Sequence, residues 1–307
     1  MRLGILGAGN VGDSVAYVAL SQGLARQILI NDINQTRAKS VVADVNDARG
    51  FVVGFSECVL ASLEELATCD IIVISTGKIV ANADRLAELE YNKAQMLATV
   101  PAIMKAGFNG KFIVISNPCD IISYLVFKLS GLPYQSVIGT GTGLDSARLS
   151  LCLADKLNLA TKSVNAVVLG EHGDSQFAAF SQSFIGQQRL DEYLAQSGAK
   201  LDLDAIEDEA RQRGHEICAG KGCTQYGIAN TANRLIRALK DDSDEIFCVS
   251  TLMQGEYGLE GLYVSTPCKI GADGVKEKIA LSLNEAERKK LAHSAQIIKA
   301  KIAQLGL

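Results

Sequence analysis

The chain has 307 residues, of which 48% are hydrophobic and 21% charged, the composition of a globular protein large enough for two domains or one large one. Its 30 basic and 34 acidic residues leave a net charge of −4 with no basic block, which argues against a nucleic-acid partner. No segment is long and apolar enough to cross a bilayer, and Gly4 and Gly7 break the apolar start too early for a secretion signal, so the mature chain is expected to begin at or near Met1 and to be cytoplasmic. The 8 cysteines show no Cys-x-x-Cys spacing and read as reduced, mostly buried thiols; neither a disulfide nor a metal site is expected.

In chain order, short β-branched runs at 3–6, 27–31, 70–75, 111–116 and 136–138 read as strands, and the longer stretches 10–22, 34–48, 85–106 and 120–130 read as helices. Strands alternating with crossover helices predict an α/β fold, a doubly wound parallel sheet over residues 1–142 with ligands at the carboxyl ends of its strands. Residues 143–307 read as an α+β substrate domain. It has a helix over 144–157, a strand over 164–169, and hairpin-like runs at 245–252 and 261–265. Gly271-Ala272-Asp273-Gly274 reads as a turn, and Ser282 with Glu285 as a capping box for a final helix reaching about residue 304. With no linker or repeat between them, the two halves should pack together.

Gly7-Ala8-Gly9-Asn10-Val11-Gly12 fits G-x-G-x-x-G at the turn from the first strand into the first helix, the fingerprint of a Rossmann dinucleotide site. Gly7 permits the tight turn, Gly9 lets the backbone approach a pyrophosphate, and Gly12 lets helix and strand pack closely, while Asn10 and Val11 begin the helix whose N–H groups face the phosphate. Asp32 ends the second strand about 20 residues further on, where a carboxylate accepts ribose hydroxyls and repels a 2′-phosphate, favouring NAD over NADP. Thr76 and Gly77, after the strand at 70–75, should lie against the cofactor.

Of three histidines, His215 sits in a charged helix with Arg211 and Arg213, and His293 in the last helix among charged and small residues. His172 differs, because Gly170 and Gly173 flank it in a loop directly after a strand. Asp145 and Arg148 stand three apart on one face of a helix's first turn, which permits helix capping and a local ion pair, or a carboxylate that orients an imidazole beside a guanidinium that grips a substrate carboxylate.

Taken in order, Gly7 to Gly12, Ser116-Asn117-Pro118, Leu144-Asp145-Ser146-Ala147-Arg148 and Gly170-Glu171-His172-Gly173-Asp174-Ser175 resemble the lactate and malate dehydrogenase family over essentially the whole chain. The resemblance implies that His172 exchanges the hydroxyl proton of a small L-2-hydroxy acid and that Asp145 fixes its tautomer. It gives Arg148 the substrate carboxylate and Asn117 the reacting oxygen, beside a cis peptide to Pro118. Arg85 matches an arginine of the family's closing loop, and Thr224 a threonine lining its pocket, although Thr224 is equally placed to cap the following helix. It further implies a homotetramer, with a 2-oxo or 2-hydroxy acid as partner.

The position where lactate enzymes of the family place Gln and malate enzymes Arg falls at Ile79 or Val80, so the pocket should be apolar there; this loop, with 171–177 and 220–226, most resembles the L-2-hydroxyisocaproate dehydrogenases within the family. The alternatives are L-lactate oxidation, or malate oxidation if Lys78 replaces the arginine. Ser150 and Asn165 stand where fructose 1,6-bisphosphate-activated relatives carry a basic residue and a histidine, so no such activation is expected.

Overall fold

The computed structural model describes residues 1–77 and 85–306, the side chains of Arg85 and Leu86 excepted. In the first half, strands β1 (Arg2–Leu6), β2 (Gln27–Asn31), β3 (Glu57–Leu60), β4 (Ile71–Ile74), β5 (Lys111–Val114) and β6 (Val137–Gly139) alternate with helices α1 (Asn10–Ser21), α2 (Gln35–Asp47), α3 (Leu63–Leu66), α4 (Arg85–Lys105) and α5 (Cys119–Ser130). The strands are all parallel, in the order β3-β2-β1-β4-β5-β6. Their apolar runs are continuous because helices cover both faces: every residue of β4 is buried. β1 pairs with both β2 and β4, so the chain reverses direction across the sheet there, and the carboxyl ends of β1 and β4 flank a crevice.

The second half contains α6 (Gly143–Leu157), the short strands β7 (Val164–Asn165), β8 (Val168–Leu169), β9 (Phe177–Ala178), β10 (Phe184–Ile185) and β11 (Gln188–Arg189), then α7 (Leu190–Ser197), α8 (Leu203–Lys221), α9 (Tyr226–Asp241), β12 (Glu245–Gln254), β13 (Glu260–Gly271), β14 (Gly274–Lys278) and α10 (Glu285–Ala303). Its long hairpins do not form a sheet of their own. β12 joins β6 antiparallel at Ser250 and Gly139, and β13 and β14 follow, giving one nine-stranded sheet. Tyr263 of β13 is fully buried, and its hydroxyl donates to the Val137 carbonyl of β6 at 3.3 Å. One apolar core lies beneath α1, α2 and α9, a second beneath α4, α5 and α10, and a third between α6 and α8.

Three local expectations are corrected. β3 carries only four residues, Glu57-Cys58-Val59-Leu60, at the sheet edge, too short and mixed to announce itself as a strand. The run at 164–169 is two strands, β7 pairing β10 and β8 pairing β9, because a continuous apolar stretch does not reveal where a chain changes sheets. The capping box of α10 is Asn284 with Glu287, two residues later than read: both pairs fit the spacing, but Glu287 is the one that is buried.

The buried Glu287 carboxylate accepts from Asn284 N at 3.0 Å and from Ser181 N and Oγ at 3.0 and 2.5 Å, fastening α10 to the loop after β9. Glu287→Ala should therefore lower the unfolding free energy by about 2–3 kcal/mol in urea titrations. Glu285→Ala, which removes only an exposed pair with Lys289, should change it by less than about 0.5 kcal/mol. Equal effects would return the cap to Ser282 and Glu285.

Candidate active site

At the end of β1 the chain turns on Gly7, whose φ of +104° lies in the region that only glycine adopts without strain. A Cβ there would also come within 2.8 Å of the Ser75 backbone, and one at Gly12 would overlap the Gly7 carbonyl oxygen, so both glycines serve the packing of α1 against β1 and β4. Gly9 is different. A Cβ on it would meet nothing within 4 Å, and it caps α1 without any side-chain hydrogen bond to the first-turn amides. Donors without a side-chain cap over open space at a helix N-terminus fit a pyrophosphate.

Asp32 lies beside this loop. Its Oδ2 accepts from Ala8 N at 2.6 Å and its Oδ1 from Asn34 N at 2.7 Å, leaving further lone pairs on both oxygens for ribose hydroxyls. Arg37 of α2, which the sequence reading passed over, donates to the Ala8 carbonyl at 2.5 Å and to Asn10 Oδ1 at 2.9 Å, pinning the glycine loop from outside. Asn10 in turn donates to Cys223 Sγ at 3.1 Å, so the loop carrying Thr224 abuts the nucleotide loop.

Across the crevice, Ser116 Oγ donates to the Thr76 carbonyl at 2.6 Å, Thr76 Oγ1 donates to Asn92 Oδ1 at 3.2 Å, and Asn92 Nδ2 donates to the Asn117 carbonyl at 2.7 Å. Fully buried Asn92 thereby ties the end of β4 to the segment holding Asn117. Its signal in the sequence was a polar residue on the apolar stripe Leu89, Met96, Val100 and Ile103 of α4. The Asn117–Pro118 peptide is cis.

The first two turns of α6 carry Asp145 and Arg148, and the start of the helix also grips the strand that leads to His172. Thr142 Oγ1 donates to the Val168 carbonyl at 2.6 Å, and Val168 N donates to Ser146 Oγ at 3.0 Å. β8 then ends, and Gly170 turns the chain with φ +92° in a space where a Cβ would press on Ser294 of α10 at 2.7 Å. The imidazole of His172 thus arrives beside α6. Its Nδ1 lies 2.7 Å from Asp145 Oδ2, and Arg148 Nη1 donates to Asp145 Oδ1 at 3.1 Å. Asp145 is 3% exposed, while the His172 side chain keeps 28% of its surface, and Nε2 is the ring nitrogen that Asp145 does not hold.

Burial alone would lower the proton affinity of His172. The charge and hydrogen bond of Asp145, with Asp120 behind, outweigh it and raise the imidazole above its ordinary 6.5. Burial likewise opposes ionisation of Asp145, but His172 and Arg148 hold its carboxyl below the usual carboxylate range. An imidazole fixed at Nδ1 by a permanent carboxylate takes up and returns a proton at Nε2. Gly214 of α8 lies against the Arg148 guanidinium, where a Cβ would stand 3.3 Å from Nη1.

Thr224 is half-buried just before α9; the cap of that helix is Gln225, and it makes no side-chain capping bond. Arg85 opens α4, but its side chain, like Lys78, Ile79 and Val80, lies outside the described residues. Among the described residues, no group of three or more His, Cys, Asp or Glu side chains is arranged to hold a metal ion, and no helix is long and apolar enough to cross a membrane. All eight thiols are free.

The profile of the lactate/malate dehydrogenase NAD binding domain matches residues 1–139, and that of the lactate/malate dehydrogenase alpha/beta C-terminal domain matches residues 142–306. L-lactate dehydrogenase 2 of Listeria innocua is 41% identical over 304 residues, covering 98% of each chain. L-lactate dehydrogenase of Fusobacterium nucleatum is 36% identical over 97% of this chain and 95% of its own. The crystal structure of the minor L-lactate dehydrogenase from Enterococcus mundtii in its ligands-bound form superposes with a TM-score of 0.95 at 31% identity, covering 99% of this chain and 98% of that one. The chain is a member of the lactate/malate dehydrogenase family, a Rossmann-type NAD-dependent oxidoreductase of 2-hydroxy acids.

The two kinds of glycine separate cofactor binding from folding. Gly9→Ala should keep the thermal midpoint of the parent and weaken NADH binding roughly tenfold, about 1.4 kcal/mol, in fluorescence titrations. Gly12→Ala should lower stability by about 1–3 kcal/mol through overpacking. Unchanged NADH affinity in Gly9→Ala would move the pyrophosphate elsewhere.

The raised proton affinity of folded His172 gives a second expectation. Protonation of the pair adds stability that is complete below the unfolded value near 6.5 and is lost as pH rises through the higher folded value. The stability advantage of the parent over His172→Gln should therefore shrink with rising pH in urea unfolding between about pH 6 and pH 9; a gap that widens would contradict the pairing.

Proposed function

We propose that this protein is a cytoplasmic, NAD-dependent L-lactate dehydrogenase that interconverts L-lactate and pyruvate without activation by fructose 1,6-bisphosphate. The observation that carries the reaction class is the Asp145 carboxylate joined to both His172 and Arg148, since one hinge then sets the distance between a proton carrier and a carboxylate grip, and the choice of lactate is supported by the names of the relatives. Gly9, Asn10, Val11, Asp32, Thr76, Gly77 and Asn117 would hold NAD, with Gly7 and Gly12 shaping the loop around it; when bound, NAD supplies the hydride acceptor or donor.

In lactate oxidation His172 takes the hydroxyl proton at Nε2, and in pyruvate reduction it returns that proton to the same oxygen. Asp145 keeps the other ring nitrogen protonated and stabilises the imidazolium. Arg148 binds the substrate carboxylate through its guanidinium fork, which no lysine reproduces. Asn117 donates to the reacting oxygen, Arg85 polarises it, and Thr224 lines the wall of the pocket. His172→Ala should lower kcat by about 10²- to 10⁴-fold while NADH binding persists.

The names of the relatives support lactate over 2-hydroxyisocaproate, and none of those named above is a hydroxyisocaproate enzyme. Favouring a longer aliphatic side chain is the run Ile79-Val80-Ala81, where a second carboxylate would find no guanidinium; this also disfavours oxaloacetate. The uncharged pair Ser150 and Asn165 supports independence from a bis-phosphate, since Ser150 is buried and its hydroxyl accepts from Ala166 N at 3.1 Å. A homotetramer accords with the family resemblance and with Phe51, Val53 and Phe55, which are each more than 90% exposed and present a patch that an oligomer would cover.

The decisive assay follows NADH oxidation with pyruvate, 2-oxoisocaproate and oxaloacetate, each with and without fructose 1,6-bisphosphate. Pyruvate should give the highest kcat/KM, with its KM unmoved by the sugar phosphate. A higher kcat/KM for 2-oxoisocaproate would install the longer-chain reading, since three extra carbons in an apolar pocket are worth about 2 kcal/mol.

A further inference from the structure

Asp120 lies in the first turn of α5, three residues after Asn117, and is 1% exposed. An acid near a helix N-terminus is ordinary, but this one is wholly buried and its two oxygens face away from its own helix. Oδ2 accepts the peptide N–H of His172 at 2.8 Å, and Oδ1 accepts the hydroxyl of Ser250, itself fully buried on β12. Burial pushes the carboxyl up to about 6, against the hydrogen bonds of Ser250 and His172 and the charge of His172, with the neighbouring Glu171 adding to the rise. Glu171 is in turn paired with Lys301 of α10.

A tie between α5 and β12 alone would not need a charge. Asparagine would accept from the His172 N–H through its oxygen and donate its amide to the Ser250 hydroxyl, which accepts as readily as it donates. What asparagine would not supply is the negative charge beside the imidazole, where Asp120 acts on His172 in the same sense as Asp145.

Building on the reading of His172 as proton carrier, we propose that Asp120 is a second carboxylate of the site, a positioning residue that fixes the backbone of His172 relative to the Asn117 segment and adds negative charge behind the ring. Asp145 holds the ring and Asp120 holds the main chain from which it hangs. Both anchors are needed because His172 stands between glycines, Gly170 and Gly173, in a loop with little regular structure to hold it.

Two substitutions separate charge from geometry. The chain has only three histidines, and His215 and His293 are exposed on α8 and α10, so the imidazole of His172 can be titrated directly by NMR of histidine-labelled protein with the other two as references. Asp120→Asn keeps the shape and should lower the titration midpoint of His172 by about half a unit, with NADH affinity unchanged. Asp120→Ala removes the anchor and should lower kcat/KM for pyruvate about 100-fold, again with NADH affinity unchanged. A wild-type midpoint in the Asn variant, or a wild-type kcat/KM in the Ala variant, overturns the proposal; should the Ala variant not fold, the Asn titration alone decides. His172→Gln is the separate control: retained turnover there would defeat the proton-carrier reading while leaving the titration result for Asp120 intact.

Discussion

The structure around the site depends on one carboxylate kept ionised out of water. Asp145 is almost inaccessible, and an isolated anion there would carry a desolvation cost of several kcal/mol. His172 and Arg148 offset that cost with hydrogen bonds, one on each oxygen, the guanidinium adding its fixed positive charge. The arrangement is mutual: the imidazole gains proton affinity from the carboxylate, and the carboxylate is held ionised by the imidazole and the guanidinium. Removing Asp145 would take from both partners the acceptor they share, so this one carboxylate sets the spacing between proton carrier and guanidinium.

That carboxylate is placed by the fold through short connections. α6 follows β6 after only three residues, so its first turn sits at the carboxyl edge of the same sheet whose β1 and β4 ends form the nucleotide crevice. The helix then fixes the strand before His172 with two side chains of its own, Thr142 at its cap and Ser146 one residue beyond Asp145. Asn92 and Asp120 perform the matching task on the other side, tying the Asn117 segment to β4 and to His172. The pocket is framed by side-chain-to-main-chain bonds, which set backbone positions independently of what fills the space between them.

Much of this was legible in the sequence because glycine and charge leave short-range signatures. Gly7, Gly12 and Asp32 announced the nucleotide loop by spacing, and His172 stood out by its glycine neighbours. Asp145 and Arg148 were visible as an i,i+3 pair, but their joining to His172 rested on the family resemblance, since 27 residues separate the ring from its carboxylate. Asp120, Asn92 and Arg37 escaped because each looks locally like a helix residue; their partners lie 52, 25 and 29 positions away, a distance that periodicity does not measure. The same blindness to long-range pairing explains why the runs at 245–252 and 261–265 read only as hairpin-like. Nothing in their alternation says which edge they will join.

That joining limits how the molecule can move. A main-chain ladder runs unbroken from β3 to β14, through strands contributed by both halves of the chain, and it resembles a single plank more than two leaves on a hinge. Bending the halves apart would mean tearing the seam between β6 and β12 and exposing Ser250 and Tyr263, both wholly buried beside it. The plank therefore keeps the reacting groups that hang from its carboxyl edge in register from one turnover to the next.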